Sequence, residues 1–194
     1  MVRPKEFDPA VVVDNAMTAF WSKGFAATTA QDLVDSTGLG RGSLYNTFSS
    51  KAALFLEALR RYDDQWTRRQ AAMLTGKGAV RDRIRTLLMT VVVKETSPGE
   101  PDGPRGCLAV NAAVELADRD PEVRALVKDV FVRMENALCA AIEEGRSTGE
   151  LADGLPARDL ACYVLNSMYG LRVLGKTADR AALERVVEVV LAAL

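Results

Sequence analysis

Residues 28–48 read TTAQDLVDSTGLGRGSLYNTF, and the fold is decided here. Thr28 with Gln31 fits the S/T-x-x-E/Q pattern, in which a hydroxyl and an amide satisfy the free N–H groups at a helix start. Leu33 and Val34 supply the inner face of that helix, and Gly38 offers the left-handed conformation that a tight corner needs. In the segment that follows, Leu39 and Leu44 turn inward and Arg41, Ser43 and Tyr45 turn outward. Two short helices joined at a glycine corner form a helix-turn-helix, whose second helix can enter a DNA major groove. Helix–glycine–helix corners also occur in many purely structural α proteins, so the flanking sequence has to decide.

Working outward, the apolar pattern keeps a helical period almost everywhere. Val12, Val13, Ala16, Met17 and Phe20 form one stripe that stops at Gly24. Ser50 reads as the N-cap of a long helix running to Leu74, broken by Thr75-Gly-Lys-Gly. Further helices are expected over 80–95, 107–117, 121–147, 156–175 and 178–194, with Pro121 and Pro156 in first turns. The β-branched run Met89–Val93 has strand composition, yet the pattern on both sides is helical. Residues 97–106, rich in proline and glycine, read as a loop. The expectation is an all-α protein of about nine helices: a three-helix head over 1–51, and a helical bundle over 52–194.

Composition narrows the chemistry. The chain has 194 residues, 25 basic and 26 acidic, so a uniformly basic nucleic-acid coat is excluded while a local patch is not. Residues 1–51 carry five basic and five acidic side chains, but from 36 to 51 Arg41 and Lys51 stand without any acid. Histidine is absent, which removes histidine-based nucleophilic sites and the HExxH zinc motif. Three dispersed cysteines, Cys107, Cys139 and Cys162, make neither a disulfide framework nor a metal site. No apolar run approaches the ~20 residues of a membrane span. The expectation is a soluble protein of a reducing cytosol, with no cofactor and no metal.

The spacing of Ala16, Phe20, Gly24-Phe25, Thr28-Thr29, Leu33, Gly38-Leu39, Gly42-Ser43-Leu44-Tyr45, Phe48, Ser50-Lys51 and Leu54 resembles the N-terminal domain of the TetR/AcrR family of bacterial transcriptional regulators. The stretch from Gly106 through Ala117, followed by Asp120-Pro-Glu-Val, looks like the ligand domain of one branch of that family. The resemblance implies a homodimeric DNA-binding regulator, released from a palindromic operator by a small effector. It departs at Val34, where the family often has alanine, at Gly40-Arg41 in place of a common Ser-Lys, and at Asn46-Thr47 in place of frequent histidines. Operator sequence therefore cannot be transferred from relatives.

Carried onto this chain, Arg41 is suited to bidentate bonding with a guanine edge, or to a phosphate alone. Ser43 and Asn46 lie beside it, and Gly42 lets the backbone approach DNA closely. Tyr45 fits a phosphate contact better than a core position. Lys51 and Thr28 sit at helix starts, where an anion is favoured, although Thr28 also serves as a simple cap. Arg3 and Lys5 are candidates for a minor-groove arm.

Leu87, Val91, Cys107, Val110, Val114, Phe131, Met134, Met168 and Tyr169 are candidates for an effector pocket, with Asn166 as a further polar group. Packed core is the plain alternative for each. Leu160, Tyr163, Val164, Leu171, Val186, Val189 and Val190, on the last two helices, are expected at a two-fold dimer interface. Cys107, preceded by Arg105 at a helix start, is the one cysteine placed for reactivity, while Cys139 and Cys162 are expected inside apolar faces. An all-α enzyme and a helical partner-binding module are the competing readings.

Overall fold

The computed structural model describes residues 7–97 and 105–194, so Arg3, Lys5 and most of the expected 97–106 loop lie outside the described residues. Its elements are α1 (Pro9–Lys23), α2 (Ala30–Thr37), α3 (Arg41–Phe48), α4 (Lys51–Tyr62), a π-helical turn (Asp63–Thr67), α5 (Arg68–Met73), α6 (Val80–Thr96), α7 (Leu108–Leu116), α8 (Pro121–Ser147), α9 (Ala157–Leu174) and α10 (Arg180–Ala192). Because α4, the π turn and α5 run on without a break, the described residues form nine rods and no strand. Met89–Val93 is helical within α6, where Val91 and Val92 are buried.

Helix boundaries follow cap chemistry. Asp8 accepts from the Ala10 amide at α1, Ser50 from Ala53 at α4, Asp120 from Glu122 and Val123 at α8, and Asp179 from Ala182 at α10. At α2 the capping box lies one residue further on than expected: Thr29 and Asp32 form it, not Thr28 and Gln31. Thr28 is fully buried and returns its hydroxyl to the Gly24 carbonyl at 2.6 Å, closing the α1–α2 loop, while Gln31 donates to Asp35. Pro156 is the N-cap of α9, just ahead of the first turn.

Two apolar cores carry the chain. The first joins Ala16 and Phe20 of α1, Leu33, Leu44, and Leu54, Phe55 and Leu59 of α4 to α7 and to the front half of α8. Phe20 and Phe25 both approach the Phe55 ring, at 5.0 and 5.1 Å between centroids. The second core is built from α6, α9, α10 and the rear half of α8. At 27 residues, or ~40 Å at 1.5 Å per residue, α8 is long enough to serve both.

The N-terminus of α6 is held by Glu150, whose carboxylate accepts from the Val80 and Arg81 amides, each at 2.7 Å. Those bonds hold its pKa below the usual carboxylate value. Gly145 of α8 crosses beneath this junction, and a Cβ there would sit 2.7 Å from two carbons of Leu151.

Glycine to alanine inside a helix normally stabilises by ~1 kcal/mol. At Gly145 the sign should reverse, because the clash costs about 1–3 kcal/mol. Thermal unfolding of Gly145→Ala should show a midpoint several degrees below wild type; an unchanged or raised midpoint would contradict the packing described.

Candidate nucleic-acid interface and ligand pocket

Only Leu44 of α3 is buried, which leaves most of the rest of the helix for another partner. Arg41, Gly42, Ser43, Asn46 and Thr47 are exposed, and Tyr45 is half-buried. Gly38 ends α2 at φ 71°, the left-handed corner expected of it. Gly40 caps α3 without a side-chain hydrogen bond. A Cβ at Gly42 would meet nothing within 4 Å, so its surroundings within the chain are open. At the far end Ser49 takes φ 64° and ψ −45°, and the Ser50 amide donates to Phe48 across it at 2.7 Å. This γ-turn is strained for a residue other than glycine. It sets the start of α4 directly beside the end of α3.

Lys51 is thereby placed at the first turn of α4, next to the outer face of α3, with its ammonium 4.5 Å above the Phe25 ring. Free N–H groups, the helix dipole and a lysine together make an anion site. The start of α2 is different. Asp32 already occupies it, bonded to Thr29 and 2.5 Å from Lys23, and these bonds hold its carboxyl well below the usual range. With its hydroxyl turned inward and a carboxylate at the helix start, Thr28 is corrected from phosphate contact to loop closure.

The head is tied to the body at several points. Arg61 of α4 grips Asp14 of α1 through two hydrogen bonds of 2.8 and 2.9 Å, and Gln65 adds a third. The Glu115 carboxylate at the end of α7 accepts from the Phe25 and Ala26 amides, at 2.8 and 2.6 Å. Gly24, at φ 81°, lets that carboxylate approach, since a Cβ would stand 3.1 Å from it. Trp21 of α1 packs edge-on against Tyr62 and Trp66. Glu115 was not legible in the sequence, because its partners lie 89 and 90 residues away.

The other end of α7 meets a buried polar cluster. Cys107 is its N-cap residue, 4% exposed, and accepts from the Tyr62 hydroxyl at 3.3 Å. Arg105 carries its guanidinium toward the Trp21 ring, at 6.0 Å. Arg172 is buried near Cys107, with the Gly106 carbonyl and the Glu95 carboxylate each at 3.5 Å. Burial pushes the Glu95 carboxyl up, opposed by the Arg172 charge, and pushes the Tyr62 and Tyr169 hydroxyls up as well.

Among the described residues and cavities, the expected pocket residues do not converge on one space. Leu87, Val91, Met134 and Met168 belong to the second core, Cys107 to the first, and Val110 and Phe131 pack against the first. Tyr169 packs against both cores, its ring tilted 46° to that of Phe131 at 5.0 Å between centroids. Val114 is 86% exposed on the outer face of α7 and lines none of the described cavities. Asn166 faces outward and donates to Cys162, which is itself exposed rather than set in an apolar face. Cys139 is buried as expected, its thiol pushed up by burial. Of the candidates only Val91 lines a described cavity, a space of about 160 Å³ shared with Trp66, Arg69, Met73, Lys94 and Arg172.

On the last two helices, Leu160, Val164, Leu171 and Val190 are consumed by the chain's own core. Tyr163, Val173 and Leu174 of α9 and Val189 of α10 remain exposed.

Residues 12–58 match the family of bacterial regulatory proteins called the tetR family, and residues 80–190 match the tetracyclin repressor-like C-terminal domain. The chain is 31% identical over 196 residues to the uncharacterised HTH-type transcriptional regulator YezE of Bacillus subtilis, covering all of both chains. It is 26% identical to the HTH-type transcriptional repressor ComR of Escherichia coli, over 96% of this chain and 87% of that one. Among solved structures, a cysteine-substituted TetR family regulator, CifR, complexed with 26 bp double-strand operator DNA, superposes with a TM-score of 0.85. That chain is 30% identical, with 98% of each covered.

Replacing Glu115 by glutamine removes the charge from the two acceptor bonds to the α1–α2 loop while keeping the shape. Amide exchange at Phe25 and Ala26 should accelerate several-fold, with exchange in the α9 core unchanged. Equal exchange at those amides would show that the loop does not depend on the carboxylate.

Proposed function

The chain belongs to the TetR family of bacterial transcriptional regulators, a DNA-binding regulator and not an enzyme, and we propose that it is a repressor that binds an inverted-repeat operator as a homodimer. The carrying observation is the outer face of α3 beside the start of α4: exposed Arg41, Gly42, Ser43 and Asn46, then Lys51, with no acid from 36 to 51. In this reading Arg41 reads a guanine edge, worth about 1–3 kcal/mol of discrimination against the wrong base. Gly42 admits the DNA backbone, Ser43 and Asn46 contact base or phosphate, and Tyr45 and Lys51 hold phosphates. The functional division is at residue 51, where reading head passes into effector and dimer domain.

One recognition helix spans too few bases to be selective, and a two-fold dimer reads the half-site twice. Tyr163, Val173, Leu174 and Val189 supply the apolar surface for pairing through α9 and α10. Release follows when a small hydrophobic or electrophilic effector enters the body. Supporting this, α7 has the buried Cys107 cluster at one end and the Glu115 hold on the head at the other. The same reading puts the protein in the bacterial cytoplasm, with the chromosome. Among the described residues no helix is long and apolar enough to cross a membrane.

Titration against operator and scrambled duplexes separates the two kinds of contact. Arg41→Ala should cut the specific-to-scrambled affinity ratio about tenfold or more. Lys51→Ala should weaken both duplexes alike and flatten the salt dependence by about one charge. Retained discrimination in the Arg41 variant would remove its base-reading role. Light scattering should give a dimer at micromolar concentration, and Tyr163→Glu should shift it toward monomer.

A further inference from the structure

Trp66 lines the small cavity between the π turn, α5, α6 and α9, and the chain's other tryptophan, Trp21, packs edge-on against it at 5.6 Å. Its volume of about 160 Å³ suits a single aromatic ring, since an apolar cavity of ~150 Å³ takes up benzene. Met73, Val91 and Trp66 line it with apolar atoms, and Arg69, Lys94 and Arg172 bring three cations. Among the described residues no acidic side chain lines it.

Arg172 lies at its floor, 3% exposed, and its Nε has no hydrogen-bond partner. Among the described residues its carboxylate partner is Glu95, 3.5 Å from Nη1, beyond the 2.7–2.9 Å of a good charge-assisted bond. A buried guanidinium so weakly met favours an added anion. A cationic ligand is excluded by the same geometry. The ring faces that would bind an ammonium are already taken by Lys94, whose Nζ lies 3.8 Å from the Trp66 centroid and 4.3 Å from that of Trp21.

We propose that this cavity is the effector site and that its ligand is a small monocyclic aromatic carboxylate. The carboxylate meets Arg172 and Lys94, and the ring lies against Trp66, Met73 and Val91. This deepens the ligand-responsive reading above and rests on it. Trp66 sits in the π turn of the rod that begins at Lys51, and Trp21 belongs to α1 of the head. A ligand that parts them acts on the junction between head and body.

The test needs no DNA in its first arm, because Trp66 lines the cavity and Trp21 packs against it. Benzoate and phenylacetate are titrated into the full chain and intrinsic fluorescence is followed, with benzamide and benzylamine at equal ionic strength as controls. Saturable quenching or shift is expected for the carboxylates, at least tenfold weaker binding for benzamide, and no saturation for benzylamine. Arg69→Gln, on the exposed rim, should weaken benzoate several-fold without changing the circular dichroism. Arg172→Lys should weaken it about tenfold. Equal binding of benzamide or benzylamine, or no response to either carboxylate, overturns the ligand class.

In the second arm, operator binding is measured with and without saturating benzoate. Loss of binding is expected. Saturable benzoate binding with unchanged operator affinity overturns the effector role, while a chain that binds no operator even without benzoate fails at the DNA-binding reading instead.

Discussion

The helix that begins at Lys51 must bury two faces at once, and most of the architecture follows from that constraint. Leu54, Phe55, Ala58, Leu59 and Tyr62 are all buried, and α4 packs on α1 while also meeting α7 and α8. A helix with one apolar stripe can be part of a detachable head. With two it cannot leave either neighbour without exposing apolar surface, at roughly 25 cal/mol per Å². The reading helix therefore stands on a rod whose position is set by the body, and the Arg61–Asp14 pair and the Glu115 carboxylate add directional bonds to that apolar attachment.

Between the apolar cores lies a small polar one. Tyr62, Cys107, Glu95 and Arg172 come from four different elements; Tyr62 donates to the Cys107 sulfur at 3.3 Å, but the Arg172–Glu95 contact is long, at 3.5 Å. Buried polar groups normally close short, well-aligned bonds, because leaving one unmet costs about 1–3 kcal/mol. This junction keeps its groups incompletely met, and it lies where α4, α6, α7 and α9 converge. Such a centre has less to lose on rearrangement than the leucine and phenylalanine layers around it.

What the sequence revealed was governed by locality. Leu33, Leu44, Gly38 and Ser50 could be placed because period, corner and cap are written within a few residues. The S/T-x-x-E/Q pattern selects Thr28 with Gln31, whereas the cap is formed by Thr29 with Asp32. Only the burial of Thr28 under Gly24 decides between them, and burial is a tertiary fact. The family resemblance was legible from spaced residues of the head, and both parts of the chain match that family. The pocket was not legible. Apolar type at helical spacing marks Leu87, Met134 and Met168 equally well as lining or as core, and the structure makes them core. Val114 was misplaced because α7 buries only Leu108, Ala109 and Ala112, leaving its outer face bare. Glu115, Trp66 and Arg172 owe their places to distant partners.

The π turn at Asp63–Thr67 has a consequence for how this rod can vary. A π turn holds one residue more than the α-helix it interrupts, and one residue is about 100° of rotation. The stretch before it points Tyr62 into the head core, the turn itself carries Trp66 onto Trp21, and the stretch after it is re-phased. Deleting a single residue here would leave a straight, well-bonded helix and yet turn everything downstream away from its neighbours. The bulge thus acts as a phase adjuster between two halves of one rod, so each half keeps its own apolar register while both remain on a common axis.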